Sequence, residues 1–117
     1  MSEVVVTDEF RGWYEALSMD EQESVFRVVS LLEGYGVSLG YPYSSAIEGS
    51  RHPLRELRVQ HQGRPYRVLY AFDPERNAVL LLGGDKGGND RFYEQVVPRA
   101  EALWDQYLAE REAHREG

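Results

Sequence analysis

Residues 54–93, LRELRVQHQGRPYRVLYAFDPERNAVLLLGGDKGGNDRFY, read as three β-strands in succession and hold most of the chain's cationic groups. Arg55–His61 and Pro65–Phe72 flank Gln62–Gly63–Arg64, a hairpin turn signal. In the second strand Tyr66, Val68, Tyr70 and Phe72 alternate onto one face, leaving Arg67, Leu69 and Ala71 on the other. In the first, Leu57 and Val59 form the apolar set, with Glu56, Arg58 and Gln60 opposite. Pairing must bring the two apolar sets together, because a slip of one residue would bury the guanidinium groups. That register sets Arg58 beside Arg67 on one face, turned away from the helices on an open sheet surface.

Beyond the hairpin, Asp73–Pro74–Glu75–Arg76–Asn77 is a tight turn, and Ala78–Leu82 is continuously apolar, as in a strand with little solvent on either side. The glycine-rich loop from Gly83 to Asp90 lacks the G-x-x-x-x-G-K-[ST] spacing of a nucleotide P-loop. Its Lys86 stands at a strand end, well placed to meet an anion. A final helix is predicted from about Asp90 to about Glu110, with Tyr93, Val96, Val97, Ala100, Trp104, Tyr107 and Leu108 on its apolar stripe. Pro98 is expected to kink or restart it, and the charged tail to fray.

On the N-terminal side, Glu3–Val6 is a short β-branched strand candidate, and Thr7 is placed to cap a helix whose stripe is Phe10, Trp13, Tyr14 and Leu17. Ser18 and Glu21 make an S-x-x-E capping box for a second helix with stripe Val25, Val28, Val29 and Leu32. The two helices should fold back as an antiparallel pair and bury their stripes on the sheet. Residues 37–53, rich in Gly, Pro and Ser, read as a loop crossing to the sheet.

Charge is distributed unevenly. Residues 1–50 hold nine acids and two bases, residues 51–91 five acids and eight bases, and residues 92–117 six acids and three bases. A positive island therefore sits inside a protein of net charge −7 and pI near 4.9. That balance argues against indiscriminate nucleic-acid binding, less strongly if the acids lie on another face. Absence of cysteine excludes disulfides and thiolate metal sites, and the three histidines lack metal-ligand spacing. No apolar run approaches the roughly 20 residues of a membrane span, and the acidic N-terminus does not read as a signal peptide. The expectation is one cytoplasmic domain over residues 1–117, with no metal, small-molecule cofactor or membrane partner.

The order of motifs resembles the RelE/ParE toxin superfamily, and more closely its phage-derived Gp49/HigB-like branch. The residues that carry the resemblance are Ser50–Arg51–His52, Leu54–Arg55–Glu56–Leu57–Arg58, the run Tyr66–Pro74, and Leu80–Lys86, with Tyr93 and Pro98. The resemblance implies an α+β fold with an N-terminal helical hairpin packed on a mainly antiparallel four-stranded sheet, plus a C-terminal helix. It further implies a toxin of a type II toxin–antitoxin system, a ribosome-dependent mRNA endoribonuclease silenced by a cognate helix-turn-helix antitoxin. Carried over by motif, Arg67 and Arg58 would bind the scissile phosphate, with Lys86 and Tyr93 in the loop and C-terminal positions. Arg55, Arg51, His52 and Arg91 are the further RNA-binding candidates. Where well-studied members have an arginine between the loop lysine and the tyrosine, this chain has Asn89, with Arg91 out of register.

Metal-free cleavage by the RNA's own 2′-hydroxyl needs a base, cations for the phosphorane and an acid for the 5′-oxygen. The base stays open at this level: Tyr93 would need its pKa lowered by neighbouring cations, His61 has a suitable intrinsic pKa but a core-facing register, and His52 lies in the loop. Two other readings use the same fold: a ParE-like inhibitor of a protein target such as gyrase, or an inactive antitoxin-binding module.

Overall fold

The computed structural model describes residues 3–116. Strands β1 (Val4–Val6), β2 (Ser44–Ala46), β3 (Arg55–His61), β4 (Arg64–Phe72) and β5 (Ala78–Asp85) form one sheet in the order β1-β5-β4-β3-β2. Strand β1 runs parallel to β5, and the other pairs are antiparallel. Helices α1 (Asp8–Glu15) and α2 (Met19–Tyr35) precede β2, and α3 (Phe92–Glu116) follows β5. The architecture is the α+β, RelE-like arrangement expected, with five strands rather than four. The added strand, β2, comes from the stretch read as a loop. Ser-Ser-Ala carries no apolar alternation, yet Ser44 is buried, its Oγ 2.6 Å from Tyr70 Oη and accepting from Arg55 Nε at 3.1 Å.

The central hairpin has the register that alternation demands, with Leu57 opposite Val68, Arg58 opposite Arg67 and Val59 opposite Tyr66. Gln62 and Gly63 both take positive φ, 50° and 78°, as a two-residue type I′ turn requires, so β4 begins at Arg64 rather than Pro65. Between β4 and β5 the register shifts: Leu69 faces Leu82 but Tyr70 faces Leu80, which leaves Leu81 as a bulge residue. Leu81 and Leu82 then both join the core beneath α3.

Strand β5 also runs three residues beyond the apolar stretch, to Asp85. Gly83 and Gly84 are strand residues, not loop residues. A Cβ on Gly83 would lie 2.3 Å from the Trp13 ring, and one on Gly84 2.9 Å from the Phe92 ring. Each glycine lets a helix approach one face of the sheet.

One core packs Phe10, Val25, Val28 and Leu32 of the helical hairpin on Leu57, Val59, Tyr66, Val68 and Tyr70. The second packs Phe92, Ala100, Leu103 and Trp104 of α3 on Leu54, Leu69, Ala71, Val79 and Leu81. The face bearing Arg58 and Arg67 is therefore not an open surface turned away from all helices. Leu69 and Ala71 on that face were the apolar residues that required a cover.

Helix α3 continues through Pro98, which neither ends nor restarts it, and extends to Glu116 instead of fraying near 110. Its far end is tied to the β4–β5 turn. Tyr107 donates to Asp73 Oδ2 at 2.8 Å, and Arg111 reaches Glu75 Oε1 at 2.7 Å. No described helix is long and apolar enough to cross a membrane.

The caps follow the sequence. Thr7 accepts from the Phe10 amide at 3.0 Å, and Ser18 and Glu21 form the reciprocal capping box. Glu21 also accepts a hydrogen bond from the Tyr66 hydroxyl of β4, fixing α2 to the sheet. That bond, with the cap amide, holds the Glu21 carboxyl down at about 2, below its ordinary 4.5. A folded-state pKa below the unfolded one adds stability that is present above the unfolded value and lost as pH falls toward 2. In Tyr66→Phe, Glu21 is expected to titrate nearer its ordinary value and the acid limb of stability to move up. A carboxyl NMR titration of both proteins reads this directly.

Candidate active site

Strand alternation places Glu56, Arg58, Arg67 and Gly84 on the α3 side of the sheet, and Ser45 of β2 stands opposite Glu56. Arg58 and Arg67 are cross-strand neighbours, so their guanidinium groups share one surface. Their burial differs. Arg67 is 4 % exposed, whereas the Arg58 side chain is 33 % exposed. Helix α3 covers the Leu69 end of the face, and its first turn brings Tyr93 toward the two arginines.

Glu56 is the hub. Its Oε1 accepts from the Tyr93 hydroxyl at 2.6 Å and lies 3.5 Å from Arg67 Nε, while Oε2 accepts from Ser45 Oγ at 3.2 Å and lies 3.8 Å from Arg58 Nη1. The carboxylate is itself buried, at 6 % exposure. Two guanidinium groups and two hydroxyls so enclose one acid, which explains how charges can stand this deep.

One group in the cluster is left over. Arg67 Nη1 donates to the Tyr66 carbonyl at 3.0 Å, but Arg67 Nε is buried without a hydrogen bond among the described residues. At 3.5 Å its approach to Glu56 is an ion pair and not a hydrogen bond. A buried, unsatisfied, charged N–H beside a second guanidinium is a ready anion subsite. Both arginines line an open cleft of about 570 Å³, bounded by Ser24, Arg27, Tyr41 and Tyr43.

Tyr93 has its pKa raised above 10, first by burial and then by its bond to Glu56, against a smaller opposing effect of Arg67. The lowering that a base role for Tyr93 would need is not found, because burial and the Glu56 carboxylate outweigh the Arg67 cation. Its phenol keeps its proton at neutral pH and is a donor. Lys86 Nζ stands 5.7 Å from the centre of the Tyr93 ring, and the Lys86 amide donates to the Pro65 carbonyl at 2.9 Å. Arg58, Arg67, Tyr93 and Lys86 are thus brought to one place.

The other candidates lie elsewhere. Arg55 shares the face of Leu57 and Val59, on the side of the helical hairpin, and its Nε is spent on Ser44. Arg51 Nη2 and His52 Nε2 are held by Asp105 of α3 at 2.6 and 2.8 Å, and Ser50 donates to Glu101 at 2.8 Å. These contacts clasp the loop to α3 and hold Asp105 and Glu101 below the usual carboxylate range, chiefly through the Arg51 and Ser50 hydrogen bonds. Arg91 is exposed and its guanidinium reaches Glu94 at 3.5 Å. His61 faces the hairpin side as expected, its Nδ1 2.7 Å from Ser24 Oγ.

Glu56 is the residue that sequence reasoning passed over, placing it on the face of Arg58 and giving it no part in the site. The signal was its i, i+2 spacing to Arg58, which fixes both on one face. No cluster of metal-ligating side chains occurs among the described residues.

The sequence matches, over residues 12–105, the family described as phage-derived protein Gp49-like. That match spans most of the chain, including every member of the Glu56 cluster. The chain belongs to the Gp49-like family. Among relatives of this Gp49-like chain are two from Mycobacterium tuberculosis. One, described as "Putative toxin HigB3", is 40 % identical over 108 residues, covering 91 % of this chain and 93 % of the relative. The other, described as "Putative toxin HigB2", is 36 % identical over 102 residues, covering 85 % of this chain and 51 % of the relative, so the match spans about half of HigB2.

Proposed function

We propose that this Gp49-like protein is the toxin of a toxin–antitoxin pair and cleaves mRNA on the ribosome, with a cognate helix-turn-helix antitoxin as its inhibitor. The toxin reading is supported by the names of its HigB relatives. The nuclease reading rests on one observation, the Arg58–Arg67 cross-strand pair with an unsatisfied buried Nε, set against Glu56 and Tyr93.

The reaction follows from those positions. The RNA phosphate enters between Arg58 and Arg67, whose fork-shaped donors hold its non-bridging oxygens. Glu56 exchanges its contacts with the arginines for the 2′-hydroxyl and takes that proton. The 2′-oxygen bonds to phosphorus, the arginines stabilise the phosphorane, and the bond from phosphorus to the 5′-oxygen breaks. Tyr93, still protonated at neutral pH, gives its proton to the leaving 5′-oxygen. The products are a 2′,3′-cyclic phosphate and a 5′-hydroxyl. Lys86, against the Tyr93 ring, adds positive charge where the departing oxygen becomes anionic.

Induced expression followed by primer extension on ribosomal mRNA tests this. Codon-positioned cuts with 5′-hydroxyl ends are expected. Growth arrest with intact mRNA and inhibited DNA supercoiling would replace the reading with a gyrase-type inhibitor.

A further inference from the structure

The cleft at Arg58 and Arg67 has a second wall that the cleavage chemistry does not use. Tyr41 is 79 % exposed and Tyr43 44 % exposed, and both rings line this one cleft. They are held in place. The Tyr43 carbonyl accepts from the Arg58 amide at 2.8 Å, so the segment continues the β2–β3 ladder past the end of β2. The Arg58 guanidinium carbon lies 5.5 Å from the centre of the Tyr41 ring. One arginine thereby links the anion subsite to an aromatic wall.

The charge of the cleft is also distinctive. Among the described residues its lining contains Arg27, Arg58 and Arg67 and no carboxylate, in a chain of net charge −7. Arg27 reaches Glu23 of its own helix at 3.4 Å, and Glu56 lies beneath the two strand arginines without lining the cleft. Two other clefts, beside β1, each include carboxylates: Asp8, Glu9 and Glu110 in one, Glu15 in the other. A cleft with cations, flat rings and no acid suits a ligand that is anionic and also offers flat apolar faces. A nucleotide has both properties, and an acidic peptide has only the first.

We infer that Tyr41 and Tyr43 form a stacking shelf for an unpaired nucleobase of single-stranded RNA, adjacent to the phosphate held by Arg58 and Arg67. This rests on the nuclease reading and deepens it by naming the residues that select the strand state of the substrate. A base engaged in a duplex cannot present its face to the shelf, so duplex RNA is rejected at this wall, whatever its sequence.

The probe is a six-nucleotide, fully 2′-fluoro RNA, which cannot be cleaved by 2′-hydroxyl attack, compared with the same backbone bearing abasic sites and with its duplex. Binding is followed by NMR of the full-length protein. The base-bearing strand is expected to move the Tyr41 and Tyr43 ring resonances upfield. It should bind about tenfold more tightly than the abasic strand or the duplex. Tyr41→Ala should erase that difference, and Tyr41→Phe should preserve it, since only the π-face is used. Equal binding of base-bearing and abasic strands, with shifts at Arg58 and Arg67, would overturn the shelf and leave the phosphate subsite standing. Shifts at neither arginine with any strand would overturn both. A Tyr41→Ala variant that binds RNA normally but loses its antitoxin would make the wall a protein contact and overturn the shelf alone.

Discussion

Arg67→Ala is expected to lower cleavage of ribosome-bound mRNA by about a hundredfold or more and to relieve growth arrest, while the antitoxin complex forms as before. The size follows from position. Arg67 is buried, directly opposite Arg58, and its Nε–H has no hydrogen-bond partner among the described residues, with Glu56 at ion-pair distance only. A donor already fixed and dehydrated loses little by reorganising when the phosphorane forms. Arg67→Lys should recover only part of the rate, because an ammonium keeps the charge and loses the fork.

Truncation of one partner of a buried ion pair can cost about 3–5 kcal/mol of stability when it orphans the other. Here Glu56 keeps Arg58, the Tyr93 hydroxyl and the Ser45 hydroxyl. The cost should fall below that range, and urea unfolding checks it. Undiminished growth arrest from a folded Arg67→Ala protein would remove this cluster from the mechanism.

The sequence made the hairpin register legible because only one pairing of β3 with β4 buries Leu57, Val59, Tyr66 and Val68 together. It made the caps legible because Thr7 and Ser18 precede helices with acids in the first turn. The cover over the second face was less visible. Leu69 and Ala71 alternate with the core set, and their need for a cover was masked by the two arginines on the same side. The bulge at Leu81 was invisible, since a run of three leucines has no period from which a slip could be read.

The site divides along the same line. Arg58 and Arg67 could be placed from alternation alone, within one hairpin. Tyr93 meeting Glu56 could not, because their 2.6 Å bond joins residues 37 positions apart, across a helix whose docking angle no local pattern sets. The upward Tyr93 shift comes first from the burial that this docking produces and then from that bond. A tyrosine among arginines would ionise more easily, and a tyrosine donating to a buried glutamate ionises less easily. The tyrosine wall was hidden in a stretch whose Gly, Pro and Ser content reads as connection.

Glu56→Gln separates two roles that predict opposite signs. If Glu56 serves only as the counter-ion of Arg58 and Arg67, it competes with the incoming phosphate for their donors, and the amide should speed cleavage as well as tighten binding. If it is also the base, binding and chemistry part company. The amide has lost the competing charge, so affinity for uncleavable RNA rises, yet it accepts no proton from the 2′-hydroxyl, and the rate at saturation falls by about a hundredfold or more. The same variant removes the anionic acceptor that raises the Tyr93 pKa, so the alkaline limb of the residual activity should move to lower pH. Glutamine nearly matches glutamate in volume; its amide oxygen accepts from Tyr93 and its NH2 donates to the Ser45 hydroxyl oxygen, which keeps the packing beneath the cleft. Single-turnover cleavage on programmed ribosomes, with the affinity of the 2′-fluoro strand measured separately, reads each sign independently. Tighter binding together with faster cleavage would reassign Glu56 from base to internal plug, and the search for the base would return to the groups lining the cleft.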